Sequence, residues 1–311
     1  MKLAVLAIGG NVIAPPQDPL TWEGQVSAAE GMASCILHLG NLGYRIVLTH
    51  GNGPQVGAIL MQNERASDVV PQNPLDVCVA QSQAQVGYAL QLALQEELRR
   101  RRRKADVVPI ITLVIVDPLD PAFKRPSKPI GPLYPQDRTR ELRAQGWEMV
   151  KDTRGGFRRV VPSPTPLEIV GAGFLRRMLE RDDAILIAAG GGGIPVVRGP
   201  EGLRGVEAVI DKDLTSSLLA SKIGAEVLIM ITDVPCVYLD HGTERERALS
   251  RLNVKQAMAH LEEGQFPPGS MGPKVQAAID FLRASGSRAI ITDLEHLEMA
   301  LMGEAGTIIV P

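Results

Sequence analysis

Two lysines and three glycine-bearing segments are the residues of this chain whose type and placement promise chemistry. Lys212 lies in Asp211-Lys212-Asp213-Leu214-Thr215-Ser216 and Lys274 in Gly269-Ser270-Met271-Gly272-Pro273-Lys274, each at the start of a helical pattern. A cation there opposes the helix dipole by roughly 0.3–1 kcal/mol. A bound phosphate reverses that sign, so two such lysines point to an anion between them. The glycines stand where apolar runs end: Gly9-Gly10-Asn11, Thr49-His50-Gly51-Asn52-Gly53-Pro54-Gln55-Val56-Gly57 and Gly190-Gly191-Gly192-Gly193. Lacking a β-carbon, they let backbone N–H groups approach a phosphate. Pro54 suits the first turn of a helix, whose positive end would then face the ligand. Four consecutive glycines carry a large entropy cost on ordering, and close approach to a ligand is expected to account for it better than packing. His50 could contact the ligand or simply brace its turn.

Several other chemistries are excluded. The spacing Gly51-x-Gly53 with the next glycine at Gly57 misses the dinucleotide fingerprint by one residue. No G-x-x-x-x-G-K-[ST] loop and no G-x-S-x-G elbow occurs. His38, His50, His241, His260 and His296 show no metal-ligand spacing, and the sequence assigns no metal ligands. A positive, glycine-lined phosphate site remains, without an obvious general base. A hydroxyl acceptor usually needs a base, whereas a carboxylate is already an anionic nucleophile at neutral pH. The chemistry indicated is phosphoryl transfer between a nucleotide and a small carboxylate-type acid.

The elements that must position these residues alternate along the chain. Leu3–Ile8, Tyr44–Thr49, Val107–Val116, Ala184–Ala189, Val227–Thr232, Arg288–Thr292 and Thr307–Val310 read as buried strands. Thr21–Leu42, Leu75–Arg103, Leu167–Arg181, Asp213–Lys222, Asn253–Leu261, Pro273–Ser285 and Leu294–Met302 read as helices. Such alternation predicts an α/β fold, an open and mainly parallel sheet with helices on both sides. Ligands of such folds bind beyond the carboxyl ends of the strands. Asp117–Pro166 breaks the rhythm with nine of the 23 prolines and a hairpin, Trp147–Lys151 and Phe157–Val161, joined by residues 152–156. Proline removes ladder donors, so this stretch reads as an inserted lid subdomain rather than another layer of the sheet. A surface excursion without function is the blander alternative.

Length and composition set the frame. The 311 residues suffice for one large or two smaller domains, and 45% hydrophobic with 22% charged residues is ordinary for a globular chain. A net charge of -2 gives no global pull toward nucleic acid or membrane. The run Arg99-Arg100-Arg101-Arg102-Arg103-Lys104 reads as a solvated helix end rather than a nucleic-acid patch, since no aromatic interleaves it. Cys35, Cys78 and Cys236 lie far apart, as reduced thiols of a cytoplasmic protein would. The apolar opening Leu3–Ile8 is too short for a signal peptide, and no stretch reaches the ~20 apolar residues of a membrane span.

Taken in order, Gly9-Gly10-Asn11, the segment Thr49–Gly57, Lys128-Pro129-Ile130-Gly131-Pro132, Gly190–Pro195, Asp211–Leu214 and Gly269–Lys274 resemble the amino-acid kinase superfamily, and within it the carbamate kinases. The resemblance covers essentially the whole chain. Other members of that superfamily usually carry a lysine just before the first glycine pair, where this chain has Ile8; carbamate kinases bring one in from the lid, and Lys128 resembles that lysine. Leu133 stands where an aromatic is common. The resemblance implies ATP + carbamate ⇌ ADP + carbamoyl phosphate, with magnesium, on a three-layer αβα sandwich that forms a homodimer. It implies an acceptor-binding half, 1–182, in which Gly9, Gly10, Asn11, Gly51, Asn52 and Gly53 cradle carbamate or the transferred phosphoryl, with Lys128 above them. Lys212 and Lys274 would neutralise charge on the phosphoryl oxygens, and Asp211 would orient the lysines. In the half 183–311, Gly190, Gly191, Gly192, Gly193, Asp213, Thr232, Asp233, Tyr238, Met271 and Gly272 would hold the nucleotide. The rival readings are the same fold acting on an acylated amino acid or a nucleoside monophosphate, and a nucleotide-sensing module without catalysis.

Overall fold

Near-continuous apolar runs, Val- and Ile-rich, form strands because a sheet buried on both faces has no polar side to show. The computed structural model describes residues 1–14, 20–152, 155–180, 184–285 and 287–311, the side chains of Asn11 and Ser285 lying outside that description. The chain begins with β1 (Lys2–Ile8), α1 (Gly10–Ile13), α2 (Trp22–Asn41), β2 (Tyr44–His50), α3 (Gly53–Arg65) and α4 (Leu75–Arg100). Next come β3 (Asp106–Pro109), β4 (Leu113–Val116), β5 (Lys128–Tyr134), α5 (Gln136–Ala144), β6 (Glu148–Lys151), β7 (Phe157–Val161), β8 (Pro166–Ile169) and α6 (Ala172–Met178). After them run β9 (Ala184–Ile187), β10 (Ile194–Gly199), β11 (Gly202–Gly205), α7 (Lys212–Ile223), β12 (Val227–Ile231), β13 (Val237–Leu239), β14 (Arg247–Leu249) and β15 (Arg251–Asn253). The last elements are α8 (Val254–Glu262), α9 (Met271–Ser285), β16 (Arg288–Thr292), α10 (Leu297–Met302) and β17 (Thr307–Val310).

Eight strands make the central sheet in the order β15-β17-β16-β12-β1-β2-β9-β3. All its pairs are parallel except β16 with β17. Alternate residues of β1 feed two cores: Leu3, Val5 and Ala7 pack with α7 and α9, and Ala4, Leu6 and Ile8 with α2 and α4. Helices therefore cover both faces, giving the expected αβα sandwich. Each core draws residues from both sides of position 182, and β9 inserts between β2 and β3, so the sheet runs unbroken across that division.

Several elements differ from the sequence reading. Val107–Val116 is two strands, not one. Pro109 ends β3, the side chain of Gln83 takes up Thr112 N, and β4 crosses into a second sheet ordered β11-β10-β4-β8. The helix expected from Leu167 begins only at Ala172, after Gly171 turns at φ 82°. Its first residues are instead β8, antiparallel to β4, and Arg181 lies outside the described residues. Strands β10 and β11, following the glycine run, and the short β13, β14 and β15 are not among the elements read from the sequence. By contrast, Arg99, Arg100 and Arg101 fold back on Glu96 and Glu97, and Arg101 and Arg103 reach α2, so the basic run is a tied-down helix end.

The proline-rich insert forms a three-stranded sheet, β5-β7-β6, with α5 beside it. The expected hairpin is present, Glu148 to Lys151 pairing with Val160 to Phe157; its residues 153–154 lie outside the described residues. The insert packs on α3 through a backbone contact. A β-carbon on Gly57 would lie 2.1 Å from the Gly131 Cα, so only glycine permits that approach. A small third core seals the junction, with Val56, Cys78 and Val79 below and Ile130 and Val161 above.

Candidate active site

A cleft of about 600 Å3 opens where β1, β2 and β12 end, roofed by the inserted sheet. Its floor holds Gly9, Gly10, Gly51, Asn52 and Gly53, its far side Thr232 and Asp233, and its roof Lys128 and the stretch Gly131–Leu133. The first two glycine loops touch each other: a β-carbon on Gly51 would come within 2.9 Å of the Gly10 backbone. Gly53 has open space at its β-carbon position and begins α3, whose N-terminus carries no side-chain cap. First-turn amides at such an end attract anions. Asn52 lines the cleft, but its amide donates to Ser82 Oγ at 2.7 Å. The Asn11 side chain lies outside the described residues.

The lysines converge from three elements. Lys212 Nζ donates to Asp213 Oδ1 at 2.7 Å and Lys274 Nζ to Asp213 Oδ2 at 3.1 Å, so one buried carboxylate bridges two ammonium groups. Lys128 Nζ, from the roof, donates to Asp211 Oδ2 at 2.7 Å. Asp211 Oδ1 in turn accepts from Asp213 N and caps α7. The division of labour thus differs from the expectation: Asp213, expected at the nucleotide, holds Lys212 and Lys274, while Asp211 holds Lys128. Three cations face two anions, leaving one positive charge for an incoming anion.

Burial opposes charge throughout this cluster and the pairing largely overrides it. For Asp211 burial pushes upward, yet Lys128 holds its carboxyl well below the usual range. Asp213 is depressed likewise, burial being outweighed by Lys212 and Lys274. Burial pulls the Lys212 ammonium below its ordinary value, and Lys274 adds repulsion. Lys274, also buried, is held above its ordinary value by Asp213. Both aspartates are therefore ionised and poor as general bases.

The four-glycine run follows a different logic from the one the sequence suggested. A β-carbon on Gly190 would strike the His50 ring, one on Gly192 the Ile210 carbonyl and one on Gly193 the Val114 side chain, each at under 2.5 Å. Gly191, Gly192 and Gly193 also have φ between 64° and 89°. Packing and backbone conformation demand these glycines, and of the four only Gly191 lines the cleft. His50 is structural: its Nδ1 pairs with Gly51 O at 2.9 Å, and burial pushes its pKa down to about 4.

Tyr238, Met271 and Gly272 are not among the residues lining the cleft. Tyr238 lies beside His241, with ring centroids 5.4 Å apart. Gly272 sits tight against the Pro267 carbonyl, where a β-carbon would be at 3.0 Å. Sequence reasoning missed Arg158, Ser270, Ala58 and Met61, which all line the cleft. The strand Phe157-Arg158-Arg159-Val160-Val161 does not alternate, so nothing in the sequence singled out Arg158. Among the described residues no group of three or more His, Cys, Asp or Glu is placed to hold a metal ion.

The Amino acid kinase family model matches residues 2–293, and the chain belongs to that family. Within it the relatives are specific. The carbamate kinase of Pyrococcus furiosus is 43% identical, with 100% of this chain and 99% of that protein covered. The carbamate kinase from Giardia lamblia bound to AMP-PNP superposes with a TM-score of 0.91 at 39% identity, covering 99% of this chain and 98% of that one. A protein from Aeropyrum pernix K1 has a TM-score of 0.93 at 45% identity, with 99% of each chain covered. Among the described residues no helix is long and apolar enough to cross a membrane.

Proposed function

We propose that this chain is a carbamate kinase, catalysing ATP + carbamate ⇌ ADP + carbamoyl phosphate. The observation that carries this is the convergence of Lys128, Lys212 and Lys274 on one cleft whose neighbouring carboxylates, Asp211 and Asp213, are ionised and lysine-bound. A carbamate oxygen, already anionic, attacks the γ-phosphorus in line while the bridging oxygen leaves with ADP, and no proton need move. Gly10, Gly51 and Gly53, with the α3 amides, cradle the acceptor and phosphoryl. Lys212 and Lys274 meet the charge spreading over the phosphoryl oxygens, which is the larger part of catalysis in such transfers. Lys128 closes over the acceptor from the insert.

The nucleotide is placed over β12 and α7, along Gly191, Thr232 and Asp233, with Asp213 acting through the lysines it holds. Magnesium would be held by phosphate oxygens and by Asp233, which is bonded by Thr232 Oγ1 rather than by a lysine. Bound there, it offsets phosphate charge. A homodimer is part of the same reading, supported by the exposed apolar residues Tyr88, Leu92 and Ile111 beside the sheet edge. So is a cytoplasmic location, supported by three free cysteines. The test is coupled ADP release with ammonium bicarbonate as carbamate source, and ATP formation from carbamoyl phosphate and ADP. Equal ADP release without bicarbonate, or faster release with an acylated amino acid or a nucleoside monophosphate, overturns the acceptor assigned here.

A further inference from the structure

The insert's sheet contains an irregularity at the place where it meets the cleft. Strand β5 pairs with β7 as Lys128 with Val161, Pro129 with Val160 and Ile130 with Arg159, and next as Tyr134 with Phe157. Between the last two pairs, Gly131, Pro132 and Leu133 on β5 stand opposite a single residue, Arg158. All three bulged residues line the cleft, and so does Arg158. A bulge bends its strand and disrupts the local ladder, so whatever replaces the missing bonds sets the strand's course. Here the guanidinium does so. Arg158 Nε donates to Gly131 O at 3.1 Å and Nη2 to Pro129 O at 3.3 Å, clasping the carbonyls on either side of Ile130. Asp152 Oδ2 lies 3.8 Å from Nη1 and steadies the charge. Gly131 is pinned from below as well, with φ 75° and its backbone against Gly57. Lys128 lies one residue before this clasp and reaches Asp211 across the cleft.

We propose that Arg158 is a positioning residue for the acceptor end of the cleft, holding the β5 bulge in shape and thereby setting Lys128 over the acceptor. The proposal rests on the carbamate kinase reading for the identity of the acceptor. Only a planar fork spans two carbonyls at once, so lysine is no substitute although it keeps the charge.

The experiment compares wild type, Arg158→Gln, Arg158→Lys, Lys128→Ala and the double variant Lys128→Ala/Arg158→Gln. Both single Arg158 variants are expected to raise the KM for carbamate about tenfold and to leave that for ATP within about twofold, in line with the cost of misplacing a catalytic group. In the Lys128→Ala background, Arg158→Gln should add less than about twofold, because a residue acting through Lys128 has nothing left to position. Wild-type KM in Arg158→Lys, or a full multiplicative effect in the double variant, overturns the proposal: the first leaves charge alone, the second a direct contact with ligand. Hydrogen exchange along Ile130–Tyr134, read without substrate, should quicken in Arg158→Gln. Unchanged exchange there overturns the positioning role even if wild type forms no carbamoyl phosphate, an outcome that by itself sinks only the acceptor assignment.

Discussion

A carboxylate shared by two lysines ties catalysis to stability at the residue scale. A lysine solvated at a helix start could be truncated at little cost to the fold. The structure buries both beside Asp213, so Lys212→Ala or Lys274→Ala weakens the compensation of a buried anion. We predict a turnover loss of about 10²–10³ for each, as for removal of other transition-state charge contacts, together with a stability loss of roughly 1–3 kcal/mol. Steady-state kinetics beside urea melts measure both; near wild-type turnover in both variants would mean that neither lysine meets the transferred phosphoryl. His50 gives a second prediction. Unfolded, it takes a proton near pH 6.5, whereas in the folded chain burial delays protonation to about pH 4. Between those values the unfolded state binds more protons, so stability falls as pH drops through the window, by roughly 1.4 kcal/mol per unit. His50→Gln should flatten the slope of unfolding free energy between pH 6.5 and 4.5. An unaltered slope would place that acid sensitivity elsewhere. The lysines and glycine loops were legible because phosphate chemistry leaves few residue types to choose from. The cause of the Gly190–Gly193 run was not: sequence shows that no side chain fits, never what occupies the space.

Elements were legible where one period ran long. Strands β1, β2, β12, β16 and β17 and helices α2, α4 and α9 follow from unbroken apolar or 3.6-residue patterns. The pattern was silent where tertiary contacts decide. Nothing in Val107–Val116 announces that Gln83, 29 residues from Thr112, captures its backbone and splits the run between two sheets. The insert was recognisable by its prolines, but its seat on α3 was not, since that depends on Gly57 meeting Gly131. This contact makes Gly57→Ala informative: the methyl group has no room, so β5 must lift and carry Lys128 with it. We predict a rise in the carbamate KM of ~10-fold or more, displacements of ~1 Å being able to cost 10²-fold, with the ATP KM little changed. A parallel rise in both constants would indicate general loosening instead. We also propose that residues 117–166 close on ligand. The salt bridges Lys128–Asp211, Arg138–Glu64 and Arg159–Glu207 span the junction, so exchange in β5–β7 should slow when carbamoyl phosphate and ADP are added. Equal protection with and without them contradicts closure.

At the scale of the whole molecule, the central sheet ends in an unusual way. Strand β3 is its outermost strand, and α4 runs alongside it, with Gln91 Nε2 donating to Val107 O at 2.8 Å. On that flank Tyr88, Leu92 and Ile111 are 51%, 41% and 56% exposed, and a cavity of about 220 Å3 lies between Tyr88, Ile111 and the back of His50. Clustered exposed apolar side chains invite association, and folded chains cover them. A second copy covers such a flank without asking for any further protein, and a two-fold contact needs only one self-complementary face. The buried position of His50 behind this cavity then links the flank to the glycine loop at Gly190, one side of which faces the cleft. We therefore predict a dimer with twice the 33.5 kDa chain mass by light scattering at micromolar concentration. Ile111→Asp with Tyr88→Glu should convert it to the monomer, because two carboxylates brought into an apolar contact cost several kcal/mol unless they find partners. The variant should keep its far-ultraviolet circular dichroism, since neither side chain belongs to a core cluster. A wild-type mass of one chain, or a variant dimer indistinguishable from wild type, would remove this flank as the contact and leave its apolar residues unexplained.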